Sequence, residues 1–288
     1  MELVRWMELY RLAMQLGRKF RGGVRYSSAA IVCVFLWAAI HDRPVSWACE
    51  QEHWPKDFDF ARKLPSQSAM SRRLRSQAVK ELLNAMEQAL RERGEQHWVK
   101  SIDSKPLIVG SYSKDSDAKW GKATKHGHAR GYKLHAIWGG RPVPEAWRLE
   151  AMNVHDATAA RELLPLLSGN GYLLGDGQYD SNHLYDLSGA REHQLVAPRR
   201  QTAKGLGHQR HSPYRLRSIE LQQKPFGIQL SRQRGDIERT FGGLTCFGGG
   251  LAPLPSWVRH KYRVQLWIHA KLLINGVRIL HGRRLATA

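Results

Sequence analysis

Apolar residues recur every three to four positions over MELVRWMELYRLAMQL, residues 1–16, and over VKELLNAMEQALRERG, residues 79–94, with charges opposite. That is the pattern of amphipathic helices. AAIVCVFLWAAI, residues 29–40, is apolar throughout and stops at His41-Asp42-Arg43. It falls short of the roughly 18 apolar residues a membrane span needs, so it reads as a buried helix. Pro65-Ser66 offers a helix start with Ser66 as N-cap, from which a short helix would project Arg72, Arg73 and Arg75. From Trp98 the period changes. WVKSIDSKPLIVG alternates and then turns apolar, a strand; GYKLHAIWGGRPVPEAWRLEAM reads as a hairpin turning at Gly139-Gly140. HDATAARELLPLL is a helix, GYLLGD a strand, SNHLYDLSGARE a helix and HQLVAPR a strand.

The segment from Arg199 to about Lys224 shows no clear period and reads as a long basic loop or insertion. Two final helices are expected over 229–247 and 256–280, joined by the breaker GGGLAPLP, with Trp37, Trp257 and Trp267 at helical core spacings. The chain therefore divides into an all-α region, 1–95, and an α/β domain, 96–288, with a basic insertion near 199–226.

Composition is that of a folded protein, with 42% hydrophobic and 24% charged residues. Charge changes the picture more: 45 Lys and Arg against 25 Asp and Glu give a net +20. Each cation placed on a phosphate releases condensed counterions, so a polyanionic partner, nucleic acid, is expected. The short helix carrying Gln67, Ser68, Ser71 and the arginines, preceded by another short helix, suits a helix-turn-helix reader of DNA; a solvated basic face satisfies the same residues. Cys33, Cys49 and Cys246 lie far apart, which excludes a disulfide framework and fits a reducing cytoplasm.

Against that charge, the positions of the acids are informative. Asp103 sits inside a strand, followed by Leu107-Ile108-Val109, where a carboxylate must be paired, bound to metal or at a solvent edge. Asp176 lies between two glycines at the end of YLLG, where the lack of side-chain bulk would admit a metal and a phosphate; Gly-Asp-Gly is equally a turn sequence. On a helix over RQRGDIERTFGGL, Arg234 and Glu238 share a face beside the stripe of Ile237, Phe241 and Leu244, either looking into a cleft or forming a surface ion pair. Two strand aspartates and a helix glutamate are the oxygen ligands that a pair of hard divalent cations requires.

IDSKP, GDGQYD and R-x-x-x-E-R-T-F, in that order, resemble the three catalytic motifs of bacterial insertion-sequence transposases of the DDE type, within the ribonuclease H-like fold. Seventy-three residues separate Asp103 from Asp176, and sixty-two separate Asp176 from Glu238, spacings that suit that family's catalytic domain. The resemblance covers about residues 98 to 280. It implies a mixed sheet flanked by helices, with Asp103, Asp176 and Glu238 as a catalytic triad holding two Mg2+ ions, for which Mn2+ substitutes. It further implies Arg234 near a DNA phosphate with Arg239 beside it, and Asp180 in a supporting, structural role. Element ends and target duplex would be the substrates, a homodimer or multimer on DNA the assembly, and the nucleoid the location, with no membrane involved. Thr245 stands where relatives often carry a lysine or arginine, a position that Lys261 would have to fill from elsewhere.

A nuclease of the same fold that cuts without joining, and a DNA-binding regulator that no longer cuts, share these features. His126, His128 and His135 have no cysteine pair to complete a zinc site, GDG lacks the ending of a P-loop, and no serine lies in a G-x-S-x-G elbow.

Overall fold

The computed structural model describes residues 2–18, 25–56, 58, 60, 63–110, 113–123, 127–200, 205–206, 210–251 and 253–287. Two compact units emerge: Met1–Gly94 together with Leu244–Ala288, and Glu95–Gly243. The C-terminal segment, read from sequence as part of the α/β domain, thus packs with the N-terminal helices.

The first unit is helical: α1 (Glu2–Gly17), α2 (Ser28–Ile40), the single turn α3 (Val45–Ala48), α4 (Gln67–Arg73), α5 (Gln77–Glu92) and, after the second unit, the long α11 (Lys261–Thr287). Helix α2 is apolar on all sides because it is the centre of the unit, with every residue but Ala30 buried. Ser27 caps it by accepting the Ala30 N–H at 3.1 Å. Trp6, Trp37 and Trp54 pack edge-on or stacked in one cluster, and each indole N–H finds a carbonyl: Cys33, His53 and Ala48 respectively. Lys271 of α11 is fully buried and donates to the carbonyls of Ala39 (2.6 Å) and Gly249 (3.0 Å) and to the Asp42 carboxylate (2.5 Å). A cation there satisfies the carbonyl end of α2. The N-cap of α4 is Ser66, which accepts from Ala69 N–H. A short turn joins α4 to α5, whereas α3, the helix before α4, ends at Ala48 and is separated from it by residues 49–66. Helix α11 begins only at Lys261, and Trp257, expected in a helical core, lies in a turn before it, 41% exposed.

The second unit is built on a six-stranded mixed sheet: β1 (Val99–Ile108), β2 (Lys119–Lys122), β3 (His128–Trp138), β4 (Ala146–Ala151), β5 (Gly171–Leu174) and β6 (His193–Val196). Strand β3 is antiparallel to β1, with Asp103 opposite Ala136, and its other edge carries first β2 and then β4. Strands β5 and β6 continue the sheet beyond β1 in parallel, Ser101 facing Leu174 and Leu173 facing Leu195. Three antiparallel strands followed by two parallel ones, with helices on both faces, is the ribonuclease H-like arrangement. One face is covered by α6 (Asp156–Leu163) and α7 (Asn182–Gly189), which bury Ile102, Ile137, Leu163, Leu184 and Leu195 in one cluster. On the other, Leu174 and Val196 pack with Leu230 of α9 (Pro225–Arg232). Helices α8 (Pro213–Gln222) and α10 (Gly235–Thr245) complete the set.

Two expectations change. Residues 213–222 are a helix rather than loop, started by Pro213 in its first turn. The helix expected over 229–247 is broken: α9 ends at Arg232, Gln233 caps it through Leu230, and α10 restarts at Gly235, a poor helix former where the chain redirects.

A buried ion pair ties the start of β1 to both neighbouring connections. Lys100 Nζ lies 2.7 Å from Glu145 Oε2, and Glu145 also accepts from the Ser168 amide (2.6 Å) and hydroxyl (2.8 Å). Gly139 is required beside it, since a Cβ there would meet Lys100 Cγ at 2.8 Å. Removing one partner of such a pair leaves a buried charge uncompensated. Glu145→Ala is expected to lower unfolding free energy by about 3–5 kcal/mol in urea melts, and a loss under about 1 kcal/mol would show the pair to be dispensable.

Candidate functional site

The register of the parallel strands sets the site. Ser101 and Leu174 are partners, and Asp103 and Asp176 each lie two residues further along. Alternation then turns both side chains toward the same face at the same level. Asp103 is half-buried and accepts the Ser104 N–H at 2.7 Å. Asp176 caps the short turn Gly177–Tyr179, its carboxylate accepting the Gln178 N–H at 2.8 Å. It is therefore turn punctuation and a presented carboxylate at once. The glycine before it serves packing: a Cβ at Gly175 would meet the Tyr179 ring at 2.9 Å. At Gly177 a Cβ would come within 3.4 Å of the Pro198 carbonyl, so the chain leaving β6 runs beside this turn.

Burial pushes the Asp103 carboxyl up to about 6; the Asp176 charge adds to the rise, and the Ser104 amide and the Arg234 guanidinium oppose it. The site is one where paired negative charge is costly and a cation is welcome. Arg234 supplies one, and its guanidinium is also 3.7 Å from Glu238 Oε1, the two side chains 38% and 63% exposed. Glu238 is thus engaged in the i,i+4 pair, and the carboxylates of Asp103, Asp176 and Glu238 are not among the described groups whose ligand atoms lie within 4.8 Å of one another; Glu50, Glu52 and His53 of the first unit are. Arg239, far along in exposure, pairs with Asp236.

Asp180 is engaged differently. Arg215 of α8 grips it with Nε at 2.7 Å and Nη2 at 2.8 Å, and the Arg200 amide donates at 3.1 Å. Burial alone would raise this carboxyl, but those bonds bring it below its ordinary value. The acid of the second motif thereby fastens α8 to the turn that presents Asp176.

In the first unit, Gln67, Ser68, Ser71, Arg72 and Arg75 are exposed on or just after α4. Arg73 instead donates to Ser28 Oγ at 3.2 Å, an internal bond.

Several residues about the site were not singled out from sequence. Asp156, at the start of α6, lies 3.4 Å from Lys133 Nζ and 3.5 Å from His135 Nδ1. Burial pushes the His135 imidazole down to about 4, Asp156 countering it, so the ring is neutral at physiological pH. The Tyr179 hydroxyl is buried without a hydrogen-bond partner, and burial together with the charges of Asp156, Asp103 and Asp176 raises it well above the ordinary value. The signal available was the scarcity of acids: His155-Asp156 opens a helix directly after a strand of the same sheet. Of the histidines weighed for zinc, His128 is exposed, His135 is buried and His126 lies outside the described residues.

The family model for the transposase DDE domain matches residues 94–271. The chain belongs to the transposase DDE domain family. No curated protein sequence matches it. A solved piggyBac transposase synaptic complex with hairpin DNA is similar at 9% identity, over 99% of this chain and 76% of that one, with a TM-score of 0.49. Membership in the transposase family rests on the domain match. Among the described residues no helix is long and apolar enough to cross a membrane.

An acid whose folded value is raised costs folding free energy in full above about pH 6, and the cost fades as pH falls toward about 4, the ordinary aspartate value. Asp103→Asn is therefore expected to stabilise the metal-free protein by roughly 2–3 kcal/mol at about pH 8 and by less than half of that at about pH 4.5. Urea unfolding followed by circular dichroism measures it; a gain independent of pH would contradict the assignment.

Proposed function

We propose that this transposase binds the ends of its element and catalyses divalent-metal-dependent DNA cleavage and strand transfer. The observation that carries the proposal is the pair of aspartates at matched positions on β1 and β5, in a site of raised carboxylate proton affinity, within a chain of net charge +20. The donor set fits magnesium, for which Mn2+ would substitute: all three side chains offer hard carboxylate oxygens, and desolvation of Asp103 favours a cation beside it. Asp103, Asp176 and Glu238 would hold the ions. Bound there, two ions would supply activation of the attacking oxygen and stabilisation of the leaving one.

The protein's own groups bind and orient. Arg234 balances Asp103 and Glu238 in the free protein, and a DNA phosphate would compete for it, freeing the glutamate. Arg239 is exposed beside it for a further phosphate. Asp180, through Arg215 and the Arg200 amide, fixes the turn on which Asp176 sits. Arg72 and Arg75 would contact backbone phosphate, with Gln67, Ser68 and Ser71 toward base edges; Arg73 would reach DNA only by leaving Ser28. The substrates are the element's duplex ends and a target duplex, and two ends would be paired by a homodimer or larger multimer.

A DNA-binding protein that does not cut is the second reading, favoured by one observation, the pairing of Glu238 with Arg234 away from the two aspartates. A strand cleavage and joining assay with Mg2+, on DNA flanking the protein's own coding sequence, separates the readings. Wild type is expected to cut and to join 3′ ends. Asp176→Asn and Glu238→Gln are expected to bind the same DNA and lose cleavage by about a hundredfold or more. Cutting without joining indicates a nuclease, binding without cutting the regulator, and variants that cut like wild type remove the triad.

A further inference from the structure

A pocket of about 190 Å3 opens within the helical unit, beside α4. Its floor is apolar, formed by Phe35, Leu74, Leu266 and Trp267, all buried. Trp257 stands at its edge, 41% exposed, and Tyr262 lines it with its hydroxyl donating to the Leu74 carbonyl. Three exposed arginines, Arg43, Arg75 and Arg263, form the rim, and Gln67 and Ser71 of α4 face it from one side.

The composition of this rim is unusual for an intramolecular purpose. No acidic side chain lines the pocket, and no ion pair with a carboxylate involves any of the three arginines among the described residues. Arg75 and Arg263 lie close enough to Tyr262 to act on its hydroxyl electrostatically. Uncompensated like charges crowded on an apolar opening are held against mutual repulsion and gain only when an anion arrives. An exposed indole at the same opening leaves a large aromatic face in water, which a flat apolar partner would cover. One ligand chemistry answers both features: an aromatic heterocycle joined on either side to phosphates. A base stacked inside a duplex cannot present its face to Trp257, so the base must be unpaired.

We propose that this pocket receives one unpaired nucleobase of a DNA strand, stacked on Trp257, with its flanking phosphates on Arg43, Arg75 and Arg263. The proposal rests on the reading that the protein binds DNA and adds to it a site for strand distortion separate from the acidic residues. Gln67 and Ser71 offer hydrogen bonds to the edge of the inserted base, while stacking and charge, which every base shares, supply the affinity.

Fluorescence anisotropy with three labelled DNAs tests it: a duplex with one unpaired base, the same duplex with an abasic residue at that position, and the fully paired duplex. Wild type is expected to bind the unpaired-base DNA about tenfold more tightly than the abasic one. Trp257→Ala is expected to abolish that preference, Trp257→Phe to retain most of it, and both to bind the fully paired duplex as wild type does. 2-Aminopurine at the unpaired position should be quenched on binding wild type and not on binding Trp257→Ala, a stacking signal that a merely structural tryptophan would not produce. Equal binding of the base-containing and abasic DNAs, or a preference that survives Trp257→Ala, overturns the proposal while leaving DNA binding intact. Absence of binding to all three DNAs overturns the DNA reading as well. Self-association lost in Trp257→Ala without any base preference overturns it in favour of a protein occupant.

Discussion

Two carboxylates at the same level of two adjacent parallel strands repel each other, and one of them is largely removed from water. Most of what surrounds Asp103 and Asp176 follows from that constraint. Burial and the neighbouring charge together raise the proton affinity of Asp103, and the Ser104 amide and Arg234 are the groups that oppose them. An apolar pair at these positions would stabilise the sheet more. A fold that keeps both acids keeps a place where a cation lowers the free energy, which is what metal-dependent phosphoryl chemistry requires.

The rest of the α/β unit keeps those two strand ends still. At the start of β1, Lys100 and Glu145 join the strand to the β3–β4 connection and, through Ser168, to the approach to β5. Just past the end of β5, Asp180 is held by Arg215 and the Arg200 amide, so α8 supports the turn that carries Asp176. Both are charge pairs whose remaining hydrogen-bonding capacity is met nearby, the condition under which buried ions are tolerated. Glu238 has no such support. It is mostly exposed on α10 and bonded only to a mobile long side chain of its own chain segment, Arg234, so its pairing is the one most readily exchanged when phosphate is supplied.

Much of this was legible in the sequence. A lone aspartate in an apolar strand and another closing YLLG are anomalies against alternation, and both fall where the sheet needs them. Apolar periodicity gave α1, α2 and α5, and Ser66 marked the start of α4. What escaped has physical reasons. Asp156 opens α6, and an acid in a first turn is favourable with the helix dipole alone, so nothing local distinguished it. Helix α8 buries only Ser218 among its residues and lacks an apolar stripe. Strand β2, KWGK, is short and largely exposed, held by its pairing with β3 and not by its own pattern. The association of α11 with α1, α2 and α5 joins segments far apart in the chain, and its buried Lys271 is a charge that no hydropathy pattern places in a core. Trp257, assigned to a core by spacing, is exposed because the helix starts four residues later.

Binding of Mn2+ to the metal-free protein, followed by electron paramagnetic resonance of the free ion, tests the acidic centre most directly because it needs neither DNA nor turnover. Saturable binding to wild type, weakened tenfold or more in Asp103→Asn and in Asp176→Asn alike, is the expected result, with roughly 1.4 kcal/mol as the matching loss for each tenfold change. Binding that is unchanged in both variants would contradict the assignment of these strand-end aspartates as the metal centre.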